Sequence, residues 1–197
     1  MERQREKDLG MLGYVKTFAP WIVFAVLSTN GESRWGALGA VVLAAGLLVL
    51  DRSRGKAWDA LIIESSSALF FGALTVASFT ISHAPLGDYG PAVAGGWLAL
   101  TSWGSLAIRR PFTLGIAKTM VPKELHGHPM FLRTNAIITA AWGIAFTLEA
   151  VLLTVLLGVA PYATAALITI KIASFVLPAI FTIRYQQIVR ARQEALR

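Results

Sequence analysis

NAIITAAWGIAFTLEAVLLTVLLGV, residues 135–159, carries one ionisable side chain, Glu149, in a run otherwise made of apolar, small and hydroxyl residues after Asn135. As a helix rising about 1.5 Å per residue, the run is longer than the roughly 30 Å hydrocarbon core of a bilayer. A soluble domain has no use for a helix that is apolar on nearly every face. The stretch therefore predicts a chain dissolved in lipid.

Working outward, five more runs share its character: 12–28, 35–50, 57–82, 89–108 and 162–183. Trp21, Trp35, Trp58, Tyr89 and Tyr185 lie toward several of their ends, as interfacial aromatics do. Over the 197 residues, 55% are hydrophobic and 15% charged, with a mean hydropathy of +0.61. A soluble domain usually carries about 25% charged residues, interspersed over its surface; here they cluster between the apolar runs. Six spans leave no room for a separate soluble domain, so the expectation is one six-helix transmembrane domain over 1–197. The absence of cysteine excludes disulfides and thiolate chemistry. The opening Met-Glu-Arg-Gln-Arg-Glu-Lys-Asp reads as the start of a cytoplasmic tail over 1–10 and has no signal-peptide pattern.

Lysine and arginine test the span count. The N-terminal segment holds Arg3, Arg5 and Lys7. The connection after the second run holds Arg52, Arg54 and Lys56. The connection 109–133 holds Arg109, Arg110, Lys118, Lys123 and Arg133, and the C-terminal segment holds Arg184, Arg190, Arg192 and Arg197. The alternate connections hold Arg34 alone. Cytoplasmic connections carry the Lys/Arg excess, so six spans with both termini cytoplasmic place every basic block on one side. The net charge of +7 then belongs to helix ends and anionic headgroups, not to nucleic acid.

Within 109–133, Pro111 suits the start of a short helix. Phe112, Leu114, Ile116, Met120 and Val121 with Lys118 and Lys123 suggest an amphipathic helix on the cytoplasmic interface; the plainer alternative is a loop packed on helix ends. Gly36, Ala40 and Ala44, and likewise Gly95 and Ala99, mark close helix packing.

Glu64, Glu149 and Lys171 lie inside predicted spans. A charge at the bilayer centre costs about 2.5–3.5 kcal/mol on insertion scales, so each needs a partner, a wet cavity or the bundle interior. Glu149 falls roughly 21 Å and Lys171 roughly 20 Å from the cytoplasmic side, which predicts an ion pair between them. Glu64, Ser67, Phe71, Thr75, Ser78 and Ser82 form a stripe at helical spacing, as do Asn135, Thr139, Trp142, Phe146 and Glu149. A hydroxyl facing lipid would lack a partner, so the two stripes suggest a polar interior lined by the third, fifth and sixth spans. Its functional reading is a pathway for a small solute, ion or proton, with Glu64, Ser67, Thr75, Asn135, Thr139, Trp142, Glu149 and Lys171 as binding or transport residues. Its structural reading is a buried ion pair with hydroxyls joining helices. Lys16 is expected to snorkel to the interface. Glu124, His126 and His128 are weak metal-ligand candidates without a fourth donor. His83 reads as interfacial. No phosphate loop, His-Glu-x-x-His or nucleophile elbow is present, so no catalytic residues or cofactor are expected.

Phe18-Ala19-Pro20-Trp21-Ile22-Val23-Phe24, the Arg109-Arg110-Pro111 turn, the Trp142 region of the fifth span and Lys171 late in the sixth resemble the bacterial intracellular septation protein A family. The resemblance covers most of the chain in layout and short pieces in letters. Thr139 stands where the family pattern would have asparagine, and Glu149 has no obvious counterpart. The resemblance implies a six-helix inner-membrane protein with a non-enzymatic role in cell division and envelope maintenance. Two functions follow as expectations: a non-enzymatic protein whose polar interior binds or passes a small solute, or a structural envelope protein acting through its basic cytoplasmic face. The expected partners are the bilayer with its anionic headgroups, a small solute or ion, and further copies of the chain.

Overall fold

The computed structural model describes residues 16–27, 33–81, 86–118 and 121–195. Among these the chain is helical throughout, with no strand. The helices are α1 (Lys16–Leu27), α2 (Ser33–Ser53), α3 (Ile62–Thr80), α4 (Gly90–Ala107), the short α5 (Thr113–Ala117), α6 (Pro129–Val159) and α7 (Thr164–Ala195). Four of them, α2, α3, α6 and α7, are long and apolar enough to cross a membrane. The described part of α1 is shorter, and α4 has 18 residues diluted with glycine, serine and threonine.

The long helices turn polar groups inward among apolar ones and present mostly apolar outer faces. On α6, Asn135, Thr139 and Glu149 are buried, while Ile144, Leu148, Val151, Val155 and Val159 are exposed. On α7, Ser174 and Thr182 are buried, while Ile168, Ile172, Leu177 and Ile180 face outward. Water would penalise such a surface, whereas hydrocarbon accepts it and leaves the polar groups to find partners inside. The chain is built for lipid.

It divides into two compact units, Met1–Gly87 with Leu114–Pro122, and Asp88–Thr113 with Lys123–Arg197. In the first unit α2 lies along α3, and Gly36, Ala37, Ala40 and Ala44 are buried on the packed face. The small residues serve close packing, as their spacing predicts. In the second unit α6 lies between α4 and α7, touching both.

Helix ends differ from the sequence expectation where capping or propensity decides them. α6 begins at Pro129, with His128 as N-cap accepting the Met130 amide on Nδ1 at 3.3 Å; a proline at the first position loses no helical bond. α7 continues past Ile183 to Ala195, so most of the expected tail 185–197 is helix, because Gln, Arg, Glu and Ala sustain one without Gly or Pro. α2 and α4 end in the same capping motif. Lys56 N–H bonds Asp51 O and Gly55 N–H bonds Arg52 O; Arg110 N–H bonds Ser105 O and Arg109 N–H bonds Leu106 O. The motif needs a left-handed residue, supplied by Gly55 at φ 82° and by Arg109 at φ 57°.

The interfacial helix expected in 109–133 is reduced to α5, five residues long. Phe112, Thr113, Leu114, Ile116 and Ala117 are all buried, so this segment is packed into protein and does not lie on a surface. A β-carbon at Gly115 would overlap the Ala60 carbonyl. Both apolar and polar side chains of α5 have protein neighbours, which removes the two-faced contrast an interfacial helix requires. Met120, Ser82, His83 and residues 1–15 lie outside the described residues.

Candidate functional site

The eight residues singled out from the sequence fall into two groups. Glu64, Ser67 and Thr75 belong to the first unit, and Asn135, Thr139, Trp142, Glu149 and Lys171 to the second. Each unit has its own buried polar row.

In the second unit the row follows one face of α6. Asn135, Thr139, Trp142, Phe146 and Glu149 are all buried, and Leu153 continues the spacing. Thr113 Oγ1 bonds the Asn135 carbonyl at 3.1 Å and Thr139 Oγ1 at 2.8 Å. Asn135 Nδ2 donates to Phe131 O, and Oδ1 has no hydrogen-bond partner among the described residues. Trp142 Nε1 donates to Thr182 Oγ1 at 3.1 Å, which in turn donates to the Pro178 carbonyl at 2.7 Å. Phe175 of α7 stands edge-on to Phe146 at 5.3 Å and to Trp142 at 6.2 Å. This end of the row is joined by aromatic packing and closed hydrogen bonds.

Glu149 ends the polar row under different conditions. It is 4% exposed, and Oε2 has no hydrogen-bond partner among the described residues. The Gly95 face of α4 admits it: a β-carbon there would stand 3.3 Å from both Cδ and Oε2. On α7, Ser174 and Lys171 are the electrostatic neighbours of this carboxyl. The expected contact ion pair does not form; no Glu149–Lys171 approach counts as a salt bridge. Equal depth on two helices fixes height but not rotation about each axis. Ser174, one turn beyond Lys171, holds the buried position, and its hydroxyl donates back to the Lys171 carbonyl at 2.8 Å.

In the first unit α1 carries three successive polar links. Lys16 Nζ bonds Asp51 Oδ1 at 2.5 Å, Thr17 Oγ1 donates to Glu64 Oε1 at 3.1 Å, and Trp21 Nε1 donates to Ser67 Oγ at 2.8 Å. Lys56 Nζ takes the other Asp51 oxygen at 2.8 Å. Lys16, with a side chain 33% exposed, is therefore held by a carboxylate, a partner that snorkelling alone would not require. Glu64 is 7% exposed, and its Oε2 has no partner among the described residues.

Several hydroxyls are satisfied within their own helix. Thr75 donates to Phe71 O, Ser67 to Ile63 O and Thr147 to Gly143 O. The exposed Thr154 and Thr169 do the same, to Ala150 O and Ala165 O. A hydroxyl facing lipid thus needs no polar cavity, since the carbonyl four residues back accepts it. The Thr75 bond is thus compatible with either setting, and the two carboxyls are the more informative groups.

Glu124, His126 and His128 do not assemble. His128 caps α6 and His126 stacks on Phe131 at 6.0 Å. No group of three metal-donor residues occurs among the described residues. Asp51, Thr17, Gly95, Thr113, Ser174 and Thr182 were not singled out from the sequence as site residues, though each contacts one that was or completes its surroundings. Asp51 was the most legible of them, standing seven residues beyond Ala44 on the buried face of α2.

No family model, curated protein or solved structure matches the chain. The likeness to the septation protein family is therefore confined to the short pieces quoted above, and function has to be argued from the chemistry of these residues.

Proposed function

We propose that this chain is a multi-pass protein of a bacterial inner membrane whose buried carboxyl Glu149 binds and passes a small cation, a proton or a small cationic solute. The observation that carries the reading is Glu149: a carboxyl in the body of a long apolar helix, away from water, with one oxygen unpartnered and no contact ion pair. Intramembrane carboxyls are expensive and mark ion and proton routes more often than packing. Gly95 leaves the room beside it, and Ser174 and Lys171 on α7 are its electrostatic neighbours, Lys171 supplying a positive charge against which an arriving cation would compete. The reading takes one transmembrane domain of six spans with both termini cytoplasmic, supported by the alternation of the basic connections. Reporter fusions at each terminus, active only in the cytoplasm, test that topology; a periplasmic C-terminus would remove an odd number of spans.

A second reading is favoured by one feature. Arg109 occupies a left-handed position where glycine is cheaper, and Arg109, Arg110 and Lys123 are exposed. Strained backbone is kept where the side chain is needed. On this reading the chain is a structural envelope or division-associated protein engaging a partner through its basic face. Neutralising Arg109, Arg110, Lys118 and Lys123 would then abolish partner binding, and loss of Glu149 would act only through stability.

A further inference from the structure

We propose that the outer face of α2 and the turn after it form a binding site for one anionic phospholipid, with an acyl chain along the helix and the phosphate at its basic end.

The chain-binding part is an open groove of about 540 Å³ running along α2 from Trp35 to Leu50, lined by apolar residues and glycine. Gly46 makes its floor low, Val42 and Leu50 form part of its wall, and at Gly39 the side chains of Leu27 and Val23 from α1 close in on α2. Among the described residues, nothing comes within 4 Å of the place a Gly46 β-carbon would take. The groove follows fifteen residues of helix, about 22 Å, which exceeds the roughly 15 Å of one leaflet. This face is opposite in role to Ala37, Ala40, Ala44 and Asp51, which are buried.

The headgroup part begins where the groove stops. Arg52, Arg54 and Lys56 follow Leu50 within six residues, against the single carboxylate Asp51. That carboxylate does not face a ligand, being 1% exposed and held by Lys16 and Lys56. The turn is rigid: Gly55 closes the helix in its left-handed conformation, and the last carbonyls of α2 accept the Gly55 and Lys56 amides. Arg52 is fixed further, donating to Lys56 O at 3.0 Å with its guanidinium 5.2 Å above the ring of Trp58. Trp58 is 60% exposed, as an aromatic at headgroup level would be. An apolar groove followed by a basic turn, with the Arg52 guanidinium held beside an exposed indole, matches an amphiphile with a phosphate, and matches neither a free anion nor an uncharged lipid. This site is independent of Glu149 and of any transport activity.

The test is native mass spectrometry of the detergent-purified protein titrated with phosphatidylglycerol, phosphatidylcholine or glycerol 3-phosphate. Phosphatidylglycerol is expected to be retained as a single adduct over phosphatidylcholine, and Arg52→Gln with Arg54→Gln to weaken it about thirtyfold. Gly46→Leu, which fills the groove at a point open in the fold, is expected to weaken the lipid as well. Glycerol 3-phosphate is expected to bind at least about a hundredfold more weakly, lacking the chains. Equal retention of the two lipids would overturn the proposal, as would tight binding of glycerol 3-phosphate alone. A Gly46→Leu protein that keeps its lipid but changes oligomeric state in light scattering would overturn it too, identifying the groove as a contact between copies.

Discussion

Glu149 on α6 lies against Gly95 on α4 so closely that a β-carbon at position 95 would stand 3.3 Å from the carboxyl carbon. The glycine lets a charged side chain be buried without displacing the helix it meets. Gly95→Leu should therefore destabilise the protein by about 1–3 kcal/mol through overpacking. Gly104→Leu, on the same helix with nothing within 4 Å, should be nearly neutral. Reversible unfolding in mixed micelles measures both, and equal effects at the two positions would contradict the arrangement.

Asp51 is shared by two lysines whose side chains are 33% and 31% exposed. Removing either one alone leaves the carboxylate paired, so Lys16→Met and Lys56→Met should each cost about 1 kcal/mol or less. The double variant leaves a buried unpaired carboxylate and should cost about 3–5 kcal/mol. The expected signature is strong non-additivity in the same unfolding assay. Additive small losses would mean that Asp51 does not depend on the pair.

Trp142 and Thr182 join α6 to α7 by a 3.1 Å hydrogen bond. A double-mutant cycle of Trp142→Phe and Thr182→Val should give a coupling of about 0.6 kcal/mol, and no more than about 1.7, the range for hydrogen bonds between membrane helices. A value near zero would mean that ring packing against Phe146 and Phe175 alone holds this contact.

Arg109 is the non-glycine residue with positive φ among the described residues. Arg109→Gly should stabilise the end of α4 by about 1 kcal/mol, since glycine adopts that backbone without cost. A thermal midpoint that rises while partner or lipid binding falls would show that the arginine is kept for its charge.

The sequence made the helices legible because apolar runs separated by charge blocks have few alternatives in lipid. It also made the α6 stripe legible: the spacing of Asn135, Thr139, Trp142, Phe146 and Glu149 by fours and threes defines one face, and all five are buried. What it left out was azimuth and short-range bonding. Glu149 and Lys171 were placed at equal depth, yet depth says nothing about rotation, and Ser174 holds the buried position. Asp51 escapes notice beside Arg52 and Arg54, although its heptad relation to Ala44 and Ala37 puts it on the packed face. The Thr75 hydroxyl reads as part of a polar stripe, although it has a carbonyl four residues back, as the exposed Thr154 and Thr169 also have. α5 read as amphipathic because periodicity cannot distinguish a surface helix from a turn buried on all sides.

The central claim is that Glu149 carries a cation or proton across the membrane. The most direct measurement is flux from proteoliposomes across a panel of protons, monovalent cations and small cationic solutes, comparing the native chain with Glu149→Gln and Lys171→Met. Flux is expected for at least one species, abolished in Glu149→Gln and altered in Lys171→Met, with both variants folded and inserted. Absence of flux from the folded native chain, or flux that persists unchanged in Glu149→Gln, would contradict it.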